Sequence, residues 1–361
     1  MLTILHGADF HLDSPFDGLS PEQARARRGE QRELLGRLAD LAAERRADLV
    51  LLPGDLLDGE DTYYETGELL ARALGSIPAP VFIAPGNHDY YGGRTLYATR
   101  KFPENVHIFT GEDLEEVALE NLNCVVHGGA FTAPYRDSDP LRGFMAEEDG
   151  RVHIGILHGD VGTKSRYAPI DEASIAVSGL TYLALGHVHK GSGLQKTAKT
   201  YWAYPGCPEG RGFDETGDKG VLVVTVDGAS VAAEFVPLAA HRYEILTVDV
   251  TDTDPAAALS AALPQNAAGD SYRILLTGES DQMDLKALEG LCAGKFYSLS
   301  LRDQTRLRQD IWSRAGEETL TGCFLREVQG RMANADETEK AKLDRALRFG
   351  LAALEHREVP Q

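Results

Sequence analysis

Five short apolar runs in this chain each end in residues able to bind a cation or move a proton. They are followed by Asp9-Phe10-His11, Gly54-Asp55, Gly86-Asn87-His88-Asp89, His158-Gly159-Asp160 and Gly186-His187-Val188-His189. Carboxylate oxygens and neutral imidazole nitrogens form a donor mixture suited to manganese, iron or zinc. Asp9 and His11 can face one point once the chain turns past its opening strand; alone, they could equally be a turn-capping Asp beside a surface His. Gly54 leaves room for Asp55 to approach a cation, and a carboxylate can bridge two ions, which makes Asp55 the expected shared ligand. Gly-Asp is also an ordinary turn dipeptide. Asn87 offers an uncharged carbonyl oxygen, while His88, aimed at substrate, could neutralise a phosphate oxygen or protonate a departing one. Asp89 could steady the other ring nitrogen of His88 or simply cap the segment that follows. His187 and His189, two apart, reach the same side of an extended backbone, and His158 comes from a separate strand. Any one histidine here could be packing, but five such strand ends are poorly explained as separate accidents.

Together the set has the size of a two-metal centre. Asp9, His11, Asp55 and His189 would hold one ion, and Asp55, Asn87, His158 and His187 the other. Two ions roughly 4 Å apart can share a water and clamp the oxygens of a phosphoryl group. No serine or cysteine nucleophile is then required, and Cys207 reads as an incidental or buried thiol.

The elements that must position these residues follow one pattern: a short β-rich run, a loop carrying Asp, His or Asn, then often a helix. Strands are expected at Leu2–Leu5, Leu49–Leu52, Val81–Ala84, Val106–Phe109, Cys124–Val126, His153–Leu157 and Tyr182–Leu185. Further strands are expected at Thr200–Tyr204, Val221–Val226 and Val231–Val236, with helices at Pro21–Arg45 and Thr62–Leu74. Ser20 before Pro21, with Glu22 in the first turn, is a helix-start signal. Past a boundary near residue 238, strands at Tyr243–Val250, Tyr272–Thr277 and Tyr297–Leu301 alternate with helices at Pro255–Leu263 and Asp281–Leu291. That order predicts a small α/β domain over 239–315, followed by a helical segment over 316–361. Leu343, Leu347, Leu351 and Leu354 form one stripe there, which either packs on the body of the protein or docks a partner.

Composition narrows the function classes. No apolar run reaches eighteen residues, which argues against a membrane span, and the Met1–Leu5 start lacks the basic region of a signal peptide. The four cysteines show no paired spacing, so reduced thiols in a cytoplasmic protein are expected. A net charge of −20 opposes broad phosphate neutralisation; any grip on DNA must be local or shared with a partner. Local candidates are Arg25, Arg27, Arg28 and Arg32 on the first helix, and Arg302, Arg306 and Arg308 further on.

In their order, the motifs DFH, GD, GNHD, LHGD and GHVH resemble those of the calcineurin-like metallophosphoesterase superfamily, over roughly residues 1–237. More narrowly the chain resembles the superfamily's SbcD/Mre11-like DNA-repair nuclease branch. The stretches His6–Phe16, Gly210–Glu215 and Arg348–Gly350 are similar to that branch's YhaO-type members. The resemblance implies an α/β, four-layer fold: two facing β-sheets flanked by helices, with a small α/β cap domain that guides DNA, and C-terminal helices. It implies two divalent ions, Mn2+ foremost with iron or zinc as alternatives, on Asp9, His11, Asp55, Asn87, His158, His187 and His189, and a substrate-side His88. It also implies a DNA phosphodiesterase, an exonuclease of DNA repair, working with an SMC-like coiled-coil ATPase subunit, and it allows a homodimer. Asp58 stands where Mre11 proteins typically place a histidine, so it would orient a neighbouring ligand or cap a helix. Two other readings stay open: an esterase for a small nucleotide-like substrate, and a regulatory subunit of an ATPase complex.

Overall fold

The computed structural model describes residues 1–354 apart from Gly18, Glu60, Asp61, Thr163, Asp281, Gln282 and Leu307, with the side chains of Gln309, Asp310 and Ala341 left out. It divides into two units, Met1–Arg242 and Tyr243–Gln361. In the first unit the strands run β1 (Leu2–His6), β2 (Leu49–Leu52), β3 (Val81–Ile83), β4 (Val106–Ile108), β5 (Glu115–Leu119) and β6 (Cys124–Gly128). Next come β7 (Val152–His158), the short pair β8 (Asp160–Val161) and β9 (Pro169–Ile170), then β10 (Tyr182–Gly186) and β11 (Gln195–Thr197). The last are β12 (Thr200–Ala203), β13 (Gly220–Asp227) and β14 (Ser230–Pro237). One six-stranded sheet has the order β14-β13-β1-β2-β3-β4 and the other β11-β12-β10-β7-β6-β5.

Strand alternation explains the layering. Leu2 and Ile4 of β1 and Leu49 and Leu51 of β2 share one core with Ile154 and Ile156 of β7 and Tyr182 and Ala184 of β10, so the two sheets face each other. The intervening residues Leu5, Val50 and Leu52 turn the other way, onto Leu34 and Leu38 of helix α1 (Pro21–Glu44) and Leu70 of α2 (Tyr64–Gly75). Leu157, Leu183 and Leu185 of the second sheet pack outward against Ile170, Ile175 and Leu180. The result is a mixed α/β fold of two sheets flanked by helices. Helix α1 begins with a full capping box, Ser20 and Gln23 each satisfying the other's backbone N–H. Buried His6 joins the sheets: its Nδ1 lies 2.8 Å from the Tyr182 hydroxyl and its Nε2 3.2 Å from the Leu185 carbonyl.

Neighbours β1, β2 and β3 are parallel, as are β7 and β10. Their carboxyl ends, where open α/β sheets carry ligands, bear the five motifs.

In the second unit three parallel strands, Tyr243–Asp249, Ser271–Thr277 and Ser298–Asp303, form one sheet. Helices Pro255–Ala262 and Leu285–Leu291 supply Leu259 and Leu288 to its core. The expected start of the latter helix, Asp281 and Gln282, lies outside the described residues, as does the tail beyond Leu354. Helices Leu320–Met332 and Glu337–Leu354 then pack on each other, with Leu325, Val328, Leu347 and Leu351 in one cluster. Leu347 and Leu351 of the leucine stripe therefore pack within their own unit. Cys124, Cys207 and Cys292 are buried free thiols and Cys323 is exposed. No described helix is long and apolar enough to cross a membrane.

Candidate metal centre

Beyond β1 and β2 the chain keeps pairing: Asp9 N–H donates to Gly54 O (3.1 Å) and His11 N–H to Asp55 O (2.9 Å). This holds the first two motifs side by side. Asp9, His11, Asp55 and His187 all have positive φ (55°, 45°, 50° and 108°). Such backbone costs on the order of 1 kcal/mol per residue and persists only where surrounding contacts impose it, typically at functional sites. Glycine opens the remaining space. A Cβ on Gly86 would stand 2.2 Å from Asp55 Oδ1, and one on Gly54, at φ 79°, would lie 2.7 Å from His158 Nδ1. With side chains there, β2, β3 and β7 could not bring Asp55, Asn87 and His158 together.

The donor atoms form three groups, Asp9–His11–His189, Asp55–His158–His187 and His11–Asp58–His88, each with ligand atoms within 4.8 Å of one another; the first two fall within the two expected ligand sets. His11 Nε2 and His189 Nε2 are 3.0 Å apart, and His158 Nε2 is 3.0 Å from Asn87 Oδ1. Asp55 lies between those two, its Oδ2 3.7 Å from His11 Nε2 and 3.4 Å from His158 Nε2. The outer nitrogens explain which way the inner ones point. His11 Nδ1 donates to Asp58 Oδ1 (3.0 Å), His189 Nδ1 to Glu215 Oε1 (2.6 Å) and His158 Nδ1 to Pro53 O (3.0 Å). These bonds put a proton on each Nδ1 and turn the three Nε2 atoms toward one another or toward the Asp55 and Asn87 oxygens. Nitrogens and oxygens converging in this way need a shared positive charge, a proton or a metal ion, and imidazoles fixed by an acceptor behind them are the usual metal-binding arrangement.

Charge in the pocket gives the same answer. Burial, aided by the Asp55 charge, pushes Asp9 up to about 7. Burial alone would raise Asp55 too, but the His158 imidazole beside it holds it far below the carboxylate range. Burial would likewise lower His158, yet the Asp55 carboxylate outweighs it and lifts the imidazole to about 9. Desolvation drives His11 and His187 down to about 4, which leaves their nitrogens free to bind. Without a cation, Asp55 is offset by the raised His158 imidazole and Asp9 is driven toward its neutral form, so two buried carboxylates share one internal counter-charge; a divalent cation fits this donor set.

The calcineurin-like phosphoesterase family model matches residues 2–191. The chain belongs to this family. It is 31% identical to the metallophosphoesterase YhaO of Bacillus subtilis (strain 168), a protein described as uncharacterised, over 80% of this chain and 75% of that one. Among solved structures, the TT1561 protein of Thermus thermophilus aligns with TM-score 0.42 and 13% identity over 65% of this chain and 98% of that one. A dimetal phosphatase from Danio rerio aligns with TM-score 0.42 and 12% identity over 64% and 98%.

In this phosphoesterase the other two candidates part company. His88 is exposed, edge-on to His11 with ring centroids 4.8 Å apart, and its Nδ1 lies 3.0 Å from the Asp58 carbonyl. Asp89 does not steady His88, contrary to one expectation from sequence. Its buried carboxylate accepts from the Gly86, Asp55 and Leu56 N–H groups (2.7, 3.1 and 2.8 Å) and from the Tyr97 hydroxyl (2.6 Å). It shapes the Asp55 loop, and among the described residues its hydrogen bonds go to that loop, Gly86 and Tyr97. Asp58 is hydrogen-bonded to His11, a candidate ligand.

Sequence reasoning missed Glu215 and Arg211 as parts of the centre. Gly210–Glu215 stood out only as a family-like stretch, and nothing in spacing shows a carboxylate reaching back to His189. Two of the four α1 arginines named as local basic candidates are held in ion pairs. Arg27 is buried and paired with Glu209 (2.8 Å), and Arg32 with Asp13 (2.8 Å), so neither extends a basic face toward substrate. Burial pushes the Cys207 thiol up to about 12, consistent with an inert group.

Proposed function

We propose that this phosphoesterase is a two-metal phosphodiesterase acting on DNA, an SbcD/Mre11-like exonuclease of DNA repair. The observation that carries the two-metal reading is the position of Asp55 between the donor groups Asp9–His11–His189 and Asp55–His158–His187. Bound there, two divalent ions, Mn2+ foremost, would acidify a water and neutralise phosphoryl oxygens. Asp9, His11 and His189 would hold one, His158, His187 and the Asn87 oxygen the other, and Asp55 both. His88, exposed at the mouth with Nδ1 at a carbonyl, keeps Nε2 for the substrate and would hold or deliver a proton at the departing oxygen. Asp89 and the glycines keep the Asp55 loop in place. Under the same reading, residues 239–315 act as a cap that guides DNA, and an SMC-like coiled-coil ATPase supplies grip that the acidic chain lacks, in the cytoplasm.

A second reading has one observation in its favour. With Arg27 and Arg32 engaged in ion pairs and a net charge of −20, a small nucleotide-like diester needs less basic surface than a polymer does. The deciding measurement is Mn2+-dependent hydrolysis of single-stranded, end-blocked and duplex DNA beside a small phosphodiester, with Asp55→Ala as background. Cleavage of open-ended DNA, lost on end-blocking, supports the exonuclease; turnover of the small diester alone supports the second reading. Activity undiminished in Asp55→Ala would overturn the two-metal assignment.

A further inference from the structure

The two donor groups are not supported alike. Behind Asp9–His11–His189, both imidazoles donate to carboxylates, His11 to Asp58 and His189 to Glu215. One guanidinium then joins those carboxylates: Arg211 donates through Nη1 to Asp58 Oδ1 (3.0 Å) and through Nη2 to Glu215 Oε1 (2.9 Å). The Arg211 backbone N–H adds a bond to Glu215 Oε2 (2.8 Å), so the carboxylate is held at both oxygens. Ser14 donates to Asp58 as well (3.1 Å). The side chains of Arg211 and Asp58 are only partly exposed (24% and 22%) and that of Glu215 is nearly buried (7%), which keeps the net from dissolving into solvent. Behind the other group there is no counterpart among the described residues. His158 donates to the uncharged carbonyl of Pro53, and the His187 ring rests against those of His158 and Tyr167.

A carboxylate behind an imidazole makes its far nitrogen more basic and fixes the ring, and losing such a partner typically weakens a site roughly 10- to 100-fold. A planar guanidinium can span two carboxylates at fixed angles, which a lysine ammonium cannot. We propose that Arg211 and Glu215 are positioning residues for one cation site only, so that the two metal positions depend on different parts of the chain. The site at Asp9, His11 and His189 relies on the Arg211-centred net, and the site at Asp55, His158 and His187 is independent of it. This rests on the two-metal reading above.

The test is metal binding, read without turnover. The full chain, stripped with chelator, is titrated with Mn2+ while bound metal is measured after gel filtration and the Mn2+ pair is followed by electron paramagnetic resonance. Wild type should take up two ions and show a coupled pair. Glu215→Gln should weaken one ion roughly 10- to 100-fold, leaving the signal of an isolated ion at intermediate Mn2+. Arg211→Gln should do the same, and Arg211→Lys should fail to rescue it. Asn87→Ala should weaken the other ion, and combining it with Glu215→Gln should weaken both. Circular dichroism melts of the stripped variants identify any that are misfolded, and Arg211→Lys, which keeps the charge, then carries the test. Wild type with fewer than two ions would overturn both this proposal and the two-metal reading. Two ions in wild type, with both retained or both lost in Glu215→Gln and Arg211→Lys, would overturn this proposal alone.

Discussion

At the scale of single residues, Asp55 makes the centre conceivable and Gly86 makes Asp55 possible. The missing Cβ of Gly86 leaves a gap filled by Asp55 Oδ1, so Gly86→Ala must move either the carboxylate or the β3 loop. That variant should keep its fold at a cost of about 1–3 kcal/mol, while Mn2+ uptake by equilibrium dialysis falls; unchanged uptake would show that the loop can yield. His88 should behave in the opposite way. His88→Ala should retain both ions and lose roughly 10²- to 10⁴-fold in turnover, because His88 meets the solvent side and its bond goes to a backbone carbonyl. Equal loss of metal and turnover would make His88 a ligand.

Among the elements, β1 and β10 are joined across the sheets by His6, whose imidazole is fully buried and pushed by desolvation down to about 3. The unfolded imidazole protonates near its ordinary value of about 6.5. Between those two values the unfolded chain binds the extra proton, so stability must fall as pH falls from about 6.5 toward about 3, and His6 costs nothing above that window. In chelator-treated protein the slope attributable to His6 is about 1.4 kcal/mol per pH unit. Urea unfolding at several pH values should show His6→Asn with a shallower slope; an identical slope would mean that other groups dominate. The strands that carry the motifs were legible in the sequence because each is an apolar run ending at a polar motif. By contrast β5 was missed: it is an edge strand beginning with Glu115 and Glu116, both exposed, so no buried face marks it. Of the supporting carboxylates, Asp58 was singled out through the family resemblance with its partner left open, whereas Glu215 was illegible. Asp58 reaches His11 across 47 positions and Glu215 reaches His189 across 26, and sequence spacing carries no record of bonds made by folding.

For the whole molecule, the proposed metal centre bears on stability, since Asp9 and Asp55 are buried carboxylates whose charge bound cations would offset. A ligand that binds only the folded state stabilises it by about 2.7 kcal/mol at a hundredfold excess over Kd. Calorimetry should therefore show Mn2+ raising the melting temperature of the transition that belongs to residues 1–242. Because the second unit has its own core, a transition belonging to it should move less; equal shifts would mean that the chain melts as one cooperative body.

The distribution of thiols offers a practical opening. Cys323, on the helix Leu320–Met332, is the exposed cysteine, while Cys124, Cys207 and Cys292 are shielded. A maleimide dye should therefore attach at one place in the native protein, on the second unit, and leave the candidate metal centre untouched. Its emission could then track the second unit as DNA or an ATPase subunit is added.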